Sequence, residues 1–345
     1  MTAQAAEHPA LLEVEKLSKT YRSASIPWSG VRSRQQVQSR QALVDASLKI
    51  ARGAVLGIVG ESGSGKSTLA RCLSLLEKPD SGRVILDGTD LTALPARHLR
   101  QQRRRIQVVF QDPYASLNPR LTVGAALGEV LHVHRLAPRA DVANRVRTLL
   151  SLVGLSASAA ERYPADFSGG QRQRICIARA LAAEPEVLIA DEPLSSLDVS
   201  IQAQILNLLL DLRDQLGLAM IFVSHDLHIV RRIAPTIAVM FGGRIVEVLP
   251  PEVPLDKARH PYTRALLAAL PRLSADLPSP GDVALSGQIP VEGCSFRERC
   301  PLAFDPCARL DPALLPLAAQ HLVACHHVAG HETSADDDQV IVEAR

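Results

Sequence analysis

The stretch Gly60-Glu61-Ser62-Gly63-Ser64-Gly65-Lys66-Ser67-Thr68 constrains the fold more than any other part of the chain. It follows the apolar run Val55-Leu56-Gly57-Ile58-Val59, which reads as a buried strand. It opens a segment from Lys66 to Leu76 with apolar residues at helical spacing. A G-x-x-x-x-G-K-[ST] pattern between a strand and a helix is the pattern of a phosphate-binding loop. Its glycines let the backbone curl so that successive N–H groups and the helix N-terminus face a phosphate chain. All the residues from Gly60 to Thr68 are therefore candidate nucleotide contacts, with Lys66 reaching the β- and γ-phosphates and the Ser67 hydroxyl ligating Mg²⁺. The plainer alternative is an ordinary Gly-rich turn joining a strand to a helix.

Composition narrows the setting. A chain of 345 residues can hold two domains, or one large domain with an appendage. Lys+Arg 38 against Asp+Glu 36 leaves a net charge of +2, so no basic excess argues for nucleic acid. The densest basic groups, Arg103-Arg104-Arg105 and Arg231-Arg232, read as solvated faces. The start from Met1 to Pro9 lacks a basic segment followed by an apolar one, which points to a cytoplasmic protein. The longest uncharged stretch, Pro312 to Gly330, contains two prolines and three histidines, so a lone bilayer helix is not expected there. Any membrane contact is expected through a partner. Six cysteines without an export signal argue against a disulfide framework.

Residues 1–10 read as a disordered lead-in. The pattern Leu12-x-Val14-x-x-Leu17 suggests a strand ending near Tyr21, and residues 22–40 break it with Ser, Gly, Pro, Arg and Gln. They read as an exposed insertion that carries the single tryptophan, Trp28. Leu43-x-x-x-x-Leu48-x-Ile50 resumes strand texture, so the N-terminal region is expected to be a β-rich layer. Asp80-Ser81-Gly82 and Asp87-Gly88 flank a hairpin-like strand, and a basic helix near 97–105 leads into the strand Ile106 to Phe110. From about 112 to 175 the texture becomes helical, which suggests a helical subdomain inserted in an α/β core. Strands return at Val187 to Ala190 and Met220 to Val223, each running into polar residues. That pattern predicts a mostly parallel sheet with its ligand at the carboxyl edge. Pro250, Pro251 and Pro254 mark a boundary, so the first domain is read as 11–255. A smaller module over 256–330 follows, then an acidic tail, 331–345, read as disordered.

The strand at Val187 delivers Asp191 and Glu192 toward the phosphate loop. Asp191 is the candidate to hold Mg²⁺, directly or through water, and Glu192 to polarise the water that attacks a γ-phosphate. A second small-residue turn, Ser168-Gly169-Gly170-Gln171, opens a long helix through Arg172 to Ala180 and offers another anion-binding helix start. With the phosphate loop upstream and Asp191-Glu192 downstream, residues 11 to about 250 resemble the ATP-binding-cassette family. The resemblance implies an α/β P-loop core of RecA type with an N-terminal antiparallel β layer and a helical subdomain. It also implies that two cassettes pack head to tail, so that Ser168, Gly169, Gly170 and Gln171 complete the ATP site of a second ATPase subunit. Isolated monomers would then hydrolyse poorly. Gln111 matches the Q-loop glutamine, which senses Mg²⁺ and γ-phosphate and faces the membrane partner. Asp198 matches the D-loop aspartate, His225 the switch histidine, and Tyr21 the aromatic that stacks on adenine. A lone Tyr or His would more often be a packing or surface residue, so these roles rest on the family pattern. Phe167, Leu194 and Ser196 depart from the commonest residues without removing a catalytic group.

Val109 to Arg120 and Tyr163 to Arg174 are similar to the corresponding segments of ATPases from dipeptide and oligopeptide importers, and His260-Pro261-Tyr262 resembles the element that marks their C-terminal module. The 22–40 insertion and the short Leu76 to Gly82 link look more like the second, F-type ATPase of such importers than the first. The family then implies an ATP- and Mg²⁺-dependent ATPase at the cytoplasmic face of the inner membrane. Its partners would be two integral-membrane permease subunits and, through them, an extracytoplasmic solute-binding protein. A cassette ATPase acting on nucleic acid or ribosomes is the alternative; such relatives usually carry two cassettes or a long coiled-coil insertion, and neither is present. Cys294, Cys300, Cys307 and Cys325 leave three readings open: a [4Fe–4S] cluster, as in some relatives, a structural zinc, or no metal. Their spacing lacks the Cys-x₂-Cys knuckles typical of zinc. Cys72 and Cys176 fall on helices and read as buried apolar residues.

Overall fold

Alternation along the strand before the phosphate loop sets the layers. Val55 and Val59 pack into one hydrophobic cluster, while Leu56 and Ile58 pack into another on the opposite face. Period-two side-chain geometry requires this of a strand buried on both sides. The computed structural model describes residues 10–24, 37–195, 197–269, 290, 292–318, 320–329 and 342–344. The lead-in 1–9, Trp28 with most of the 22–40 segment, and most of the acidic tail lie outside the described residues.

Two long strands open the chain, β1 (Ala10–Ala24) and β2 (Val37–Ala51), and β3 (Val55–Val59) leads to helix α1 (Lys66–Leu73). There follow β4 (Ser81–Leu86), β5 (Thr89–Asp90), α2 (Ala96–Arg103) and β6 (Ile106–Val109). Three helices come next: α3 (Pro113–Ser116), α4 (Val123–Val133) and α5 (Val142–Leu152). Then come α6 (Gly169–Leu181), β7 (Val187–Asp191), α7 (Val199–Leu216), β8 (Ala219–Ser224) and α8 (Leu227–Ile233). The chain continues through β9 (Thr236–Phe241), β10 (Arg244–Leu249), α9 (Pro261–Ala269) and α10 (Asp305–Arg309). It closes with β11 (Leu315–Ala318), β12 (His321–Val323), α11 (His326–Ala329) and β13 (Val342–Ala344).

The larger sheet has the order β11-β12-β10-β9-β3-β8-β7-β6. From β9 to β6 its neighbours are parallel, and β10, β12 and β11 add on antiparallel at one edge. The smaller sheet, β13-β2-β1-β4-β5, covers one face, and Leu12, Val14, Leu48 and Ile50 pack there with Leu56, Ile58, Ile221 and Val223. Burying each such side chain stabilises by about 1.5–3 kcal/mol. The other face meets the helical layer. On α4 the residues Val123, Leu127 and Leu131, spaced by four, are all buried, and the Thr122 hydroxyl accepts from the Ala125 N–H at 3.3 Å to start the helix.

Three expectations change. Residues 22–24 and 37–40 of the segment read as an exposed insertion do not break the strands: β1 and β2 remain paired out to Ala24↔Val37. Their sequence carries no apolar alternation, and Arg22, Ser39 and Arg40 are exposed. The tail is not wholly irregular, since Val342–Ala344 pairs parallel with β2 at Leu48 to Ile50, taking up an otherwise open sheet edge. The basic groups are not simply solvated faces. Arg105 bonds to Glu186 and lies 3.3 Å from Asp87, while Arg231 donates to the carbonyls of Pro235, Pro251 and Val253 at 2.7–2.9 Å and so fastens the proline-rich boundary. No helix among the described residues is long and apolar enough to cross a membrane.

Candidate functional site

Parallel strands β3, β7 and β8 all end at one edge, and their polar exits meet there. Two glycines show how tightly the loop after β3 is fitted. A Cβ on Gly60 would stand 2.2 Å from the Met240 carbonyl oxygen, and one on Gly65 would stand 2.4 Å from that of Ala42. Gly65 also has φ +107°, a region other residues rarely adopt. The loop borders a cleft of about 250 Å³ lined by Ser62, Gly63, Gly65, Lys66, Ser67 and Thr68 together with Tyr21, Arg40, Gln111 and Glu192.

Inside the cleft the charges offset one another. Lys66, 4 % exposed, donates from Nζ to the carbonyls of Gly60 (2.7 Å) and Glu61 (2.9 Å), and Nζ lies 3.6 Å from Glu192 Oε1. Burial pulls the Lys66 pKa below the usual lysine range, and the nearby Glu192 carboxylate opposes that shift. The Ser67 hydroxyl donates to Asp191 Oδ1 at 3.2 Å. Asp191 is buried, which raises its pKa against the lowering effect of the Ser67 hydrogen bond. Ser67 and Gln111 line the cleft and the Asp191 carboxylate is hydrogen-bonded to Ser67, and these are oxygen donors of the kind Mg²⁺ accepts.

Glu192 has φ +47°, a left-handed conformation costing a non-glycine residue about 1–3 kcal/mol. Its N–H donates to Val223 O at 3.0 Å, which holds the turn beside the end of β8. Glu192 also lines a second, smaller cleft with Ser195, Gln202, Ser224 and His225, and the mostly exposed His225 ring places Nδ1 3.5 Å from Glu192 Oε2. Tyr21 lines the first cleft, with its hydroxyl donating to Glu77 Oε2 at 2.6 Å.

The structure therefore brings together Tyr21, the loop, Gln111, Asp191 with Glu192, and His225 from five stretches of chain. Ser168, Gly169, Gly170, Gln171 and Asp198 line neither cleft. Ser168 starts α6: its Oγ accepts from the Gln171 N–H at 3.4 Å, while Gln171 Oε1 accepts from the Ser168 N–H at 3.1 Å. That reciprocal cap leaves Ser168 and Gln171 exposed, while Gly169 between them is half-buried and Gly170 buried. Asp198 likewise precedes α7 without capping it through its side chain.

Three residues at the site were not read from the sequence. Arg40, opposite Tyr21 in the strand register, donates to Gly63 O at 3.0 Å, but it was hidden in a stretch read as insertion. Tyr262 and Arg299 bond to Glu61 from the C-terminal region. The His-Pro-Tyr element was visible as a marker, without any sign of what its tyrosine touches.

The thiols of Cys294, Cys300 and Cys325 are pushed up by burial, that of Cys294 to about 11, and Cys307 lies close enough for its charge to act on all three. Among the described residues, no group of three or more His, Cys, Asp or Glu side chains stands in metal-ligating geometry, so the four thiols converge without forming a ligand set as placed. Cys72 and Cys176 are buried, as expected.

Comparisons with known proteins follow these features. Residues 43–195 match the family model described as ABC transporter, and residues 246–307 match that of the oligopeptide/dipeptide transporter C-terminal region. A probable peptide ABC transporter ATP-binding protein, y4tS of Sinorhizobium fredii, is 48% identical over 92% of this chain and 90% of its own length. The dipeptide transport ATP-binding protein DppF of Escherichia coli is 45% identical over 84% of this chain and 87% of its own. Among solved structures, the dimeric, post-hydrolysis ATP-binding cassette MJ0796 with ADP and Pi is 28% identical, with a TM-score of 0.60, and covers 70% of this chain and 99% of its own.

Proposed function

This chain belongs to the peptide-import ATP-binding proteins of the ABC transporter family, and we propose that it powers uptake of peptides or related small solutes through integral-membrane permease partners. It is an ATP-hydrolysing subunit with the ABC cassette fold. The observation that carries the assignment of roles is the pairing of two residues of the cleft-lining loop with the acidic end of β7, Lys66 with Glu192 and Ser67 with Asp191.

In this reading the loop N–H groups and Lys66 hold the β- and γ-phosphates of ATP, Tyr21 receives the adenine, and Glu192 takes the proton of a water attacking the γ-phosphorus. The P–O bond to the leaving oxygen breaks, giving ADP and inorganic phosphate. His225, beside Glu192, orients the transferred group. Ser67, Gln111 and Asp191 would hold Mg²⁺, which supplies charge neutralisation at the phosphate oxygens when bound. The start of α6, with Ser168, Gly169, Gly170 and Gln171, together with Asp198, serves the site of a second ATPase subunit. Support comes from the exposure of Ser168, Gln171 and Asp198, all away from this chain's own clefts, and from the likeness to a dimeric cassette. The place of work is the cytoplasmic face of the inner membrane, with a solute-binding protein reached through the permeases.

Pull-down of the tagged full chain from membranes tests this. Recovery of a second cassette subunit and two integral-membrane proteins is expected, whereas stable ribosome or DNA association without them would refute it. For the four cysteines, a [4Fe–4S] cluster is the finer reading, supported by their convergence alone. Iron analysis of anaerobically purified protein decides it, and iron-free, colourless protein ends it.

A further inference from the structure

Glu61, the second residue of the phosphate loop, is gripped from the far end of the chain. Its N–H donates to the Tyr262 hydroxyl at 2.7 Å. Its carboxylate takes a two-point contact from Arg299, with Nη2 2.7 Å from Oε1 and Nη1 3.0 Å from Oε2. Paired charge-assisted bonds of this kind fix direction as well as distance.

Both partners are rigidly mounted. Tyr262 is fully buried and Arg299 nearly so. The Arg299 guanidinium lies 5.2 Å from the ring centroid of Phe241 and 5.4 Å from that of Phe296. Phe241, Tyr262 and Phe296 contact one another with centroids 4.6–5.5 Å apart, and Phe241 ends β9, the neighbour of β3. The His-Pro-Tyr element explains how the tyrosine is aimed. His260 Nδ1 accepts from the Tyr262 N–H at 3.1 Å, Pro261 supplies the first helical residue of α9, and the tyrosine reaches back to the loop. Arg259 and His260 N–H groups both donate to the buried Glu247, at 2.7 and 3.2 Å, which ties the start of this element to β10.

The first arm of the phosphate loop thus has two independent holds. Lys66 takes the carbonyls of Gly60 and Glu61, and the C-terminal region takes the amide and carboxylate of Glu61. Lys66 is also the group that incoming phosphates would attract, so its hold competes with the ligand. The Tyr262–Arg299 hold does not, because neither residue lines the cleft. We propose that Tyr262 and Arg299 are positioning residues for ATP: through Glu61 they preset the phosphate loop, so that the C-terminal module sets nucleotide affinity without touching the nucleotide. This rests on the ATPase reading above.

The test is equilibrium binding of ATP, with Mg²⁺, to the full chain, followed by steady-state hydrolysis in the assembled complex. Tyr262→Phe and Arg299→Met should each weaken ATP binding about 10-fold and raise KM in parallel, leaving kcat within about twofold. Glu61→Gln combined with Arg299→Met should lose no more than Arg299→Met alone, since the two groups share one interaction. Arg299→Lys should recover part of the affinity. Tyr262→Phe removes a single hydroxyl, and its thermal midpoint checks that the chain still folds. Wild-type affinity and KM in both Tyr262→Phe and Arg299→Met would overturn the proposal, as would a fall in kcat at constant KM. A wild-type chain that binds no ATP would refute the ATPase reading itself, and this proposal with it.

Discussion

At the cleft the side chains proposed to handle phosphate are already paired with each other, Lys66 with Glu192 and Ser67 with Asp191. Desolvation makes Lys66 costly to keep charged, and Glu192 offsets part of that cost. Substituting Glu192→Gln should retain ATP binding and lower turnover roughly 100- to 10,000-fold, the range a general base contributes, as read by phosphate release beside equilibrium binding. Lys66→Ala should lose both. These residues were legible because each motif is contiguous and its chemistry depends on residue type. Arg40, Tyr262 and Arg299 were not, because their contacts with Gly63 and Glu61 join positions that no local pattern links.

Among elements, the start of α9 should be the most sensitive to acid. Burial pulls the His260 pKa down to about 4, so the ring is neutral at neutral pH and Nδ1 accepts from Tyr262. The unfolded chain, with an ordinary histidine near 6.5, takes up the proton first. Stability from neutral His260 is therefore complete above about pH 6.5 and is lost as pH falls toward about 4, by up to about 3 kcal/mol. Denaturation across that window should show this slope, and His260→Asn, which keeps an acceptor but cannot titrate, should flatten it. The start of α6 offers a contrast. If Ser168 served only as a helix cap, Ser168→Ala would cost about 1 kcal/mol of stability and little hydrolysis. The account expects hydrolysis by the assembled pair to fall well beyond that. Strand and helix texture was readable where one face is apolar, as in α4. It failed in the outer ribbon of β1 and β2, where the strands pair out to Ala24↔Val37 without an apolar alternation in the sequence.

Over the whole molecule, strands from beyond residue 310 extend the sheet that carries the phosphate loop, so the C-terminal region is built into the cassette rather than hung from it. Sequence texture marked a boundary at the prolines near 250, yet the hydrogen bonds of β12 to β10 cross it, and sheet pairing over such separations has no local signature. The family's core sheet and its carboxyl-edge site were expected from alternating strands and helices, and the order around β3 agrees. A chain whose α6 start lies outside its own clefts should hydrolyse ATP slowly alone and faster once a second cassette is present, measurable as rate against protein concentration. The most direct measurement is peptide uptake into vesicles carrying the reconstituted permeases, both cassette subunits and the solute-binding protein, compared between wild type and Glu192→Gln. ATP-dependent uptake that the substitution abolishes is the expected result; uptake unchanged by the substitution, or ATP hydrolysis indifferent to peptide and binding protein, would contradict the account.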